Sequence, residues 1–180
     1  MLKEITEIVN SGDFDEKTVS AFLERVGQGK PTRDENPQTH FCVYFAAFDK
    51  KAKKVFMGHH KKSGLWLFGG GHIDKGEFPL AALKREIDEE WGINVFLGNI
   101  TPELLTVTEI EKRPVGLCRR HYDIWYFVEL DKNEANFDRE KLDQEFHQTR
   151  WLSIDQALGL ATDPNTIKAL KFLKKRFAVK

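Results

Sequence analysis

The sequence is short of cysteine and proline and carries no net charge, and each shortage removes a class of protein. Its two cysteines, Cys42 and Cys118, lie far apart and match no metal-binding or redox spacing. Buried, reduced thiols in a cytosolic protein are the expectation. No apolar run approaches the roughly 20 residues that span a bilayer. The opening residues, MLKEITEIVN, are charged too early and too often for a secretory signal. Lysine and arginine total 28, and so do aspartate and glutamate. Such a balance sets up no general field for nucleic acid or anionic membrane, so neither a long nucleic acid nor a membrane is an expected partner. No repeat, biased tract or Pro/Gly/Ser linker divides the 180 residues. They read as one soluble, cytoplasmic domain, long enough to bury a core.

What is there begins with two short amphipathic helices, over residues 2–10 and 15–27. The second is marked by Asp15 three positions before Thr18, and by Val19, Phe22, Leu23 and Val26 at helical spacing. The polar stretch QGKPTRDENPQ (28–38) joins this extension, residues 1–35, to a main body over 36–180. Aromatic and β-branched runs predict strands at 39–48, 55–60, 103–111, 120–130 and 145–153. A helix is expected at 79–91, with Pro79 in its first turn and Gly92 at its stop. Two further helices close the chain, in SIDQALGL and NTIKALKFLKKRF. Strands around one central helix, with more helices at the ends, indicate α/β or α+β.

The central helix is locally anomalous. On a wheel of ~100° per residue, Leu80, Leu83, Ile87 and Trp91 make one apolar stripe. Glu86, Glu89 and Glu90 gather on a neighbouring face. Like charges at these spacings cost about a few tenths of a kcal/mol each, and acids in a last turn oppose the helix dipole for a similar penalty. Lys84 and Arg85 are too few and too early to neutralise them. A solvated acidic face is one reading. A hard divalent cation held by three carboxylates is the other, and Mg²⁺ suits oxygen ligands while leaving room for phosphates. Gly69, Gly70 and Gly71 stand after a strand, where the backbone is expected to turn sharply and offer a carbonyl to the same ion.

Together Gly71, Glu77, Arg85, Glu86, Ile87, Glu89, Glu90, Gly92 and Ile93 resemble the Nudix box, G-x5-E-x7-R-E-U-x-E-E-x-G-U, with every spacing intact. The resemblance to the Nudix hydrolase superfamily implies an α/β/α sandwich with a mixed sheet, here with a short N-terminal helical extension. It implies that Glu86, Glu89 and Glu90 are metal carboxylates with the Gly70 or Gly71 carbonyl nearby, and that Arg85 and Glu77 pair to hold the loop. Asp88 occupies the motif's unspecified position and reads as solvated. Gly69 stands where many members have proline, which would loosen the loop without removing a ligand. The activity implied is Mg²⁺-dependent cleavage of a phosphoanhydride, with Mn²⁺ a possible substitute. The substrate is a small nucleoside diphosphate derivative or a nucleoside triphosphate.

The base is left open among Glu89, Glu90 and Glu145, which precedes the strand leading to Trp151. Period-2 reading of residues 121–130 puts His121, Asp123, Trp125 and Phe127 on one face, suited either to a ligand or to a satisfied His–Asp pair. His72, directly after the glycines, is expected to touch substrate. Lys61 could meet a phosphate or be a solvated turn lysine. Trp66 could stack a base or lie in the core. Competing readings are a non-catalytic nucleotide sensor or partner-binding module on the same scaffold, and an isopentenyl diphosphate isomerase, whose cysteine-centred motif is not recognisable. A monomer or homodimer is expected.

Overall fold

A computed structural model of the chain describes residues 1–95, 97–110 and 117–178. The elements run α1 (Leu2–Ser11), α2 (Glu16–Gly27), β1 (Thr39–Asp49), β2 (Lys54–His60), β3 (Trp66–Leu67), β4 (Gly69–His72) and α3 (Pro79–Trp91). They continue with β5 (Leu104–Glu109), β6 (Arg120–Glu129), α4 (Arg139–Glu145), β7 (Phe146–Ser153), α5 (Ile154–Leu160) and α6 (Pro164–Ala178). This is an α/β chain on a mixed seven-stranded sheet of order β3-β2-β1-β6-β5, with β4 pairing β1 and β7 pairing β2. Among the described residues no helix is long and apolar enough to cross a membrane.

Two of these elements depart from the reading of the sequence. The glycine run does not turn; it forms β4, because β1 offers it a ladder. Helix α4 was not anticipated, since Leu142 is its only strongly apolar residue and gives no period. It is started instead by Asp138, whose side chain accepts from the Glu140 and Lys141 amides. The strand expected to reach residue 111 is seen to Glu109, and its last expected residue lies outside those described.

The chain divides into two compact units. The first comprises residues 1–44, 70–84 and 100–126. There Asp15 caps α2 by accepting from the Thr18 amide, and Ile5, Val9 and Phe22 bury the inner faces of α1 and α2. Phe22, Phe41 and Tyr122 form a ring triad with centroids 5.4–5.7 Å apart. Beside it Arg25 is fully buried, its guanidinium donating to the carbonyls of Gly29 (2.7 Å), Lys30 (2.7 Å) and Thr39 (2.6 Å). One cation thus satisfies three carbonyls of the polar joining stretch and the start of β1.

The second unit comprises residues 45–69, 85–99 and 127–180. Its frame is the antiparallel pairing of β2 with β7, from Lys54↔Ser153 to His60↔Phe146, with a register shift at His59/His60. Its core is aromatic. Trp91 meets Phe45 edge-on at 4.5 Å and Phe137 at 5.5 Å, while Phe137 stacks on Phe56 at 4.1 Å.

Candidate active site

The rotation of α3 follows from its apolar residues. Ala82, Leu83, Ile87 and Trp91 are buried, while Leu80 is only half-buried. Glu86 is drawn in at the edge of that stripe and is 8% exposed. Glu89 stands in solvent and Glu90 is half-buried. A sunken carboxylate needs a charged or hydrogen-bonding partner. Arg85 supplies one, its Nη1 lying 2.7 Å from Glu86 Oε1 and 3.1 Å from Glu89 Oε2.

Two expectations about charge are corrected here. Arg85 is not too early to matter, because its long side chain reaches along the helix to two of the three box glutamates. Nor is Asp88 merely solvated. Lys141 of α4 lies 3.2 Å from Asp88 Oδ2 and donates to the Asp88 carbonyl at 2.7 Å. The dipole at the C-terminal end of α3 is therefore offset by a cation from another part of the chain.

The glycines bring backbone close rather than lending it flexibility. A Cβ on Gly69 would lie 2.5 Å from the Phe45 ring and 2.7 Å from Glu90 Oε2. Gly69 is itself buried. At Gly70 φ is +152°, and a Cβ would lie 2.5 Å from the Val43 carbonyl oxygen. Nearby, Glu77 Oε2 accepts from the Asp74 amide at 3.1 Å, and the Glu77 amide donates to the Asp74 carbonyl at 3.0 Å. That reciprocal pair closes the turn between β4 and α3.

The other expected site residues separate into groups. Glu145, at the end of α4, is 3.1 Å from Lys62 Nζ and 3.6 Å from His60 Nε2. Lys61 is tied to the same helix, its Nζ donating to the Asp143 carbonyl and its amide to the Glu145 carbonyl. Trp66 is half-buried rather than core; His59 stacks on it at 5.7 Å and the Arg150 guanidinium lies 5.5 Å from its ring. Asp123 is fully buried, and its Oδ2 accepts from the hydroxyls of Thr106 and Thr108. Thr106 in turn accepts from Trp125 Nε1 at 2.8 Å. This chain seals Asp123 away from solvent and corrects its assignment to a ligand-facing surface. The period-2 argument failed because both faces of β6 are covered from Tyr122 to Val128.

His72 and His121 do come together, and with residues the sequence did not single out. The His121 ring lies 4.7 Å from that of His40 and 5.1 Å from that of His72. Cys118 Sγ is 3.8 Å from His40 Nε2 and 4.0 Å from His72 Nε2. Cys118 is half-buried, not the buried thiol expected. Burial pushes the His121 imidazole down to about 3, with His40 and His72 adding to the effect. His40 is also held below the ordinary histidine range by burial. Local spacing shows only the Cys118-x-x-His121 pair; His40 on β1 and His72 on β4 are remote in the chain and join it only through the fold.

Known proteins bear on this arrangement. The family model described as NUDIX domain matches residues 37–175. An RNA pyrophosphohydrolase of Francisella tularensis is 30% identical over 115 residues, 57% of this chain and 71% of that protein. A nucleoside triphosphatase of Escherichia coli is 29% identical over 108 residues, 60% of this chain and 75% of that protein. Among solved structures, the E. coli dihydroneopterin triphosphate pyrophosphohydrolase superposes with a TM-score of 0.61 at 20% identity. That match covers 75% of this chain and 95% of the other, and speaks for the fold.

Proposed function

The chain belongs to the NUDIX family, and on that footing we propose that it is a divalent-metal-dependent pyrophosphohydrolase of a small nucleotide. Its substrate on this reading is a nucleoside triphosphate or a nucleoside diphosphate derivative. The observation that carries the reading is the acidic end of α3: Glu86 sunk to 8% exposure, and Glu90 against backbone that has no room for a side chain at Gly69. An all-oxygen set of this kind fits a hard cation. Glu86, Glu89 and Glu90, with the Gly70 or Gly71 carbonyl, would hold Mg²⁺, for which Mn²⁺ can substitute. Bound there, the ion supplies neutralisation of phosphate charge and a more acidic water.

The chain's own residues do the rest. Arg85 orients Glu86 and Glu89, and Glu77 closes the turn that leads into α3. Water's oxygen bonds to phosphorus as the bridging P–O bond breaks, and its proton passes to a carboxylate among Glu89, Glu90 and Glu145. Lys61 and Trp66 are the side chains assigned to the phosphate and base of the substrate. The same reading makes this a cytoplasmic enzyme, acting as a monomer or homodimer.

The test is a panel of nucleoside triphosphates, nucleoside diphosphate derivatives and short 5′-triphosphorylated RNA, with Mg²⁺ or Mn²⁺ in heavy-oxygen water. Metal-dependent turnover of a small nucleotide, with one heavy oxygen in a product phosphate, is the expected result. Absence of turnover on every member would overturn the hydrolase reading in favour of a nucleotide sensor.

A further inference from the structure

The cluster around His121 consists of donors that the box chemistry does not use. His40, His72, His121 and Cys118 each offer one ligand atom, and these four atoms all lie within 4.8 Å of one another. Tetrahedral coordination at ordinary Zn–N and Zn–S bond lengths sets ligand atoms about 3.3–3.6 Å apart. The distances from Cys118 Sγ to His40 Nε2 and His72 Nε2, 3.8 and 4.0 Å, need to shorten by only a few tenths of an ångström.

The ring orientations suit the same geometry. His40 Nδ1 lies 3.0 Å from the Asn36 carbonyl, which only a protonated Nδ1 can satisfy. That bond leaves the Nε2 lone pair facing Cys118, the arrangement that a carbonyl behind a metal-bound histidine enforces. His121 Nε2 is buried with no hydrogen-bond partner among the described residues. A buried ring nitrogen without a partner is costly, and a bound cation would satisfy it.

We propose that His40, His72, His121 and Cys118 form a tetrahedral Zn²⁺ site, made of different residues from the box carboxylates. Three imidazoles and a thiolate are borderline-to-soft donors, which select Zn²⁺ over the Mg²⁺ preferred by carboxylate oxygen. Four protein ligands leave no open position, so the site is structural. It ties β1, β4 and β6 to the segment ahead of β6, and so braces the strand that carries Gly70 and Gly71. His72 and His121 thereby move from expected substrate contacts to metal ligands.

The experiment titrates the chelator-treated full chain with Co²⁺ in the presence of excess Mg²⁺, following the tetrahedral d–d bands and the thiolate-to-cobalt charge-transfer band. One equivalent should bind with both features. Cys118→Ser should lose the charge-transfer band. His121→Ala should weaken Co²⁺ by at least about 100-fold, the upper end of what even an outer-shell partner is worth. Cys42→Ser should leave the spectrum unchanged, as should Glu90→Gln, which separates this site from the hydrolase reading. In the unsubstituted chain, Zn²⁺ should slow alkylation of one thiol, which peptide mapping assigns to Cys118; this arm does not depend on any variant folding. Lack of a charge-transfer band, its survival in Cys118→Ser, or protection confined to Cys42 would overturn the proposal.

Discussion

Replacing Gly70 by alanine tests the claim that β4 exists because of close backbone approach. A methyl group there would sit 2.5 Å from the Val43 carbonyl oxygen and 2.9 Å from the Tyr44 Cα, both main-chain atoms with no rotamer to escape into. Relieving that overlap means prising β4 off β1, a cost of about 1–3 kcal/mol for overpacking. The φ of +152° adds a conformational strain of about 1–3 kcal/mol for a residue with a side chain. The two together predict a loss of about 4 kcal/mol, a large share of the roughly 5–15 kcal/mol that stabilises a typical domain. Gly64→Ala is the internal control. Its φ is +68°, yet nothing lies within 4 Å of the added methyl, so only strain applies. That variant should lose about 1 kcal/mol. Urea unfolding of the full chain, followed by tryptophan fluorescence, measures both. A Gly70→Ala midpoint no lower than that of Gly64→Ala would refute the close-approach argument. Where the variant remains folded, a shift of about 1 Å in the Gly70 carbonyl should cost about 100-fold in turnover.

Glu90→Gln should abolish Mg²⁺-dependent turnover while leaving the melting temperature within a few degrees, because it removes a repelling charge; unchanged turnover would sink the proposed metal site. Arg25→Met strips the shared donor from the carbonyls of Gly29, Lys30 and Thr39. At about 1 kcal/mol each it should cost about 3 kcal/mol in urea unfolding, and a loss below about 1 kcal/mol would count against the three-bond account. Asp49 accepts from the Ala52 amide at 2.7 Å and the Lys132 amide at 3.0 Å, which holds its carboxyl below the ordinary aspartate range. Its contribution is therefore present above the ordinary value of 3.8 and is lost as the pH falls through the lowered one. Wild type and Asp49→Ala should differ in stability at neutral pH and converge in acid. A gap that stays constant down to pH 2 would show that the carboxylate's charge is not what matters.

Local pattern was enough for much of this molecule. The stripe of Leu83, Ile87 and Trp91 fixed both the existence of α3 and its orientation, because burial of one helical face depends only on a 3.6-residue period. The spacing of Glu86, Glu89 and Glu90 is likewise local, so an acidic face on that helix follows from the chain itself. The Asp15 cap could be read for the same reason. What could not be read depends on partners distant in sequence. Arg85 and Lys141 dispose of the acidic charge through reach and through a second helix with almost no apolar period. Gly69 and Gly70 look like a sharp turn until β4 is seen to pair with β1, with Phe45, Glu90 and Val43 occupying the space a side chain would need. Asp123 reads either as a ligand contact or as half of a His–Asp pair until two threonines of the neighbouring strand claim it. The grouping of His40, His72, Cys118 and His121 is the plainest case. Cys118 and His121 are three residues apart, but His40 and His72 are remote, and only the placing of β1 and β4 beside β6 brings their nitrogens to the same point. The sequence by itself determined the family chemistry and the helix that carries it; the tertiary structure alone decided which other side chains meet.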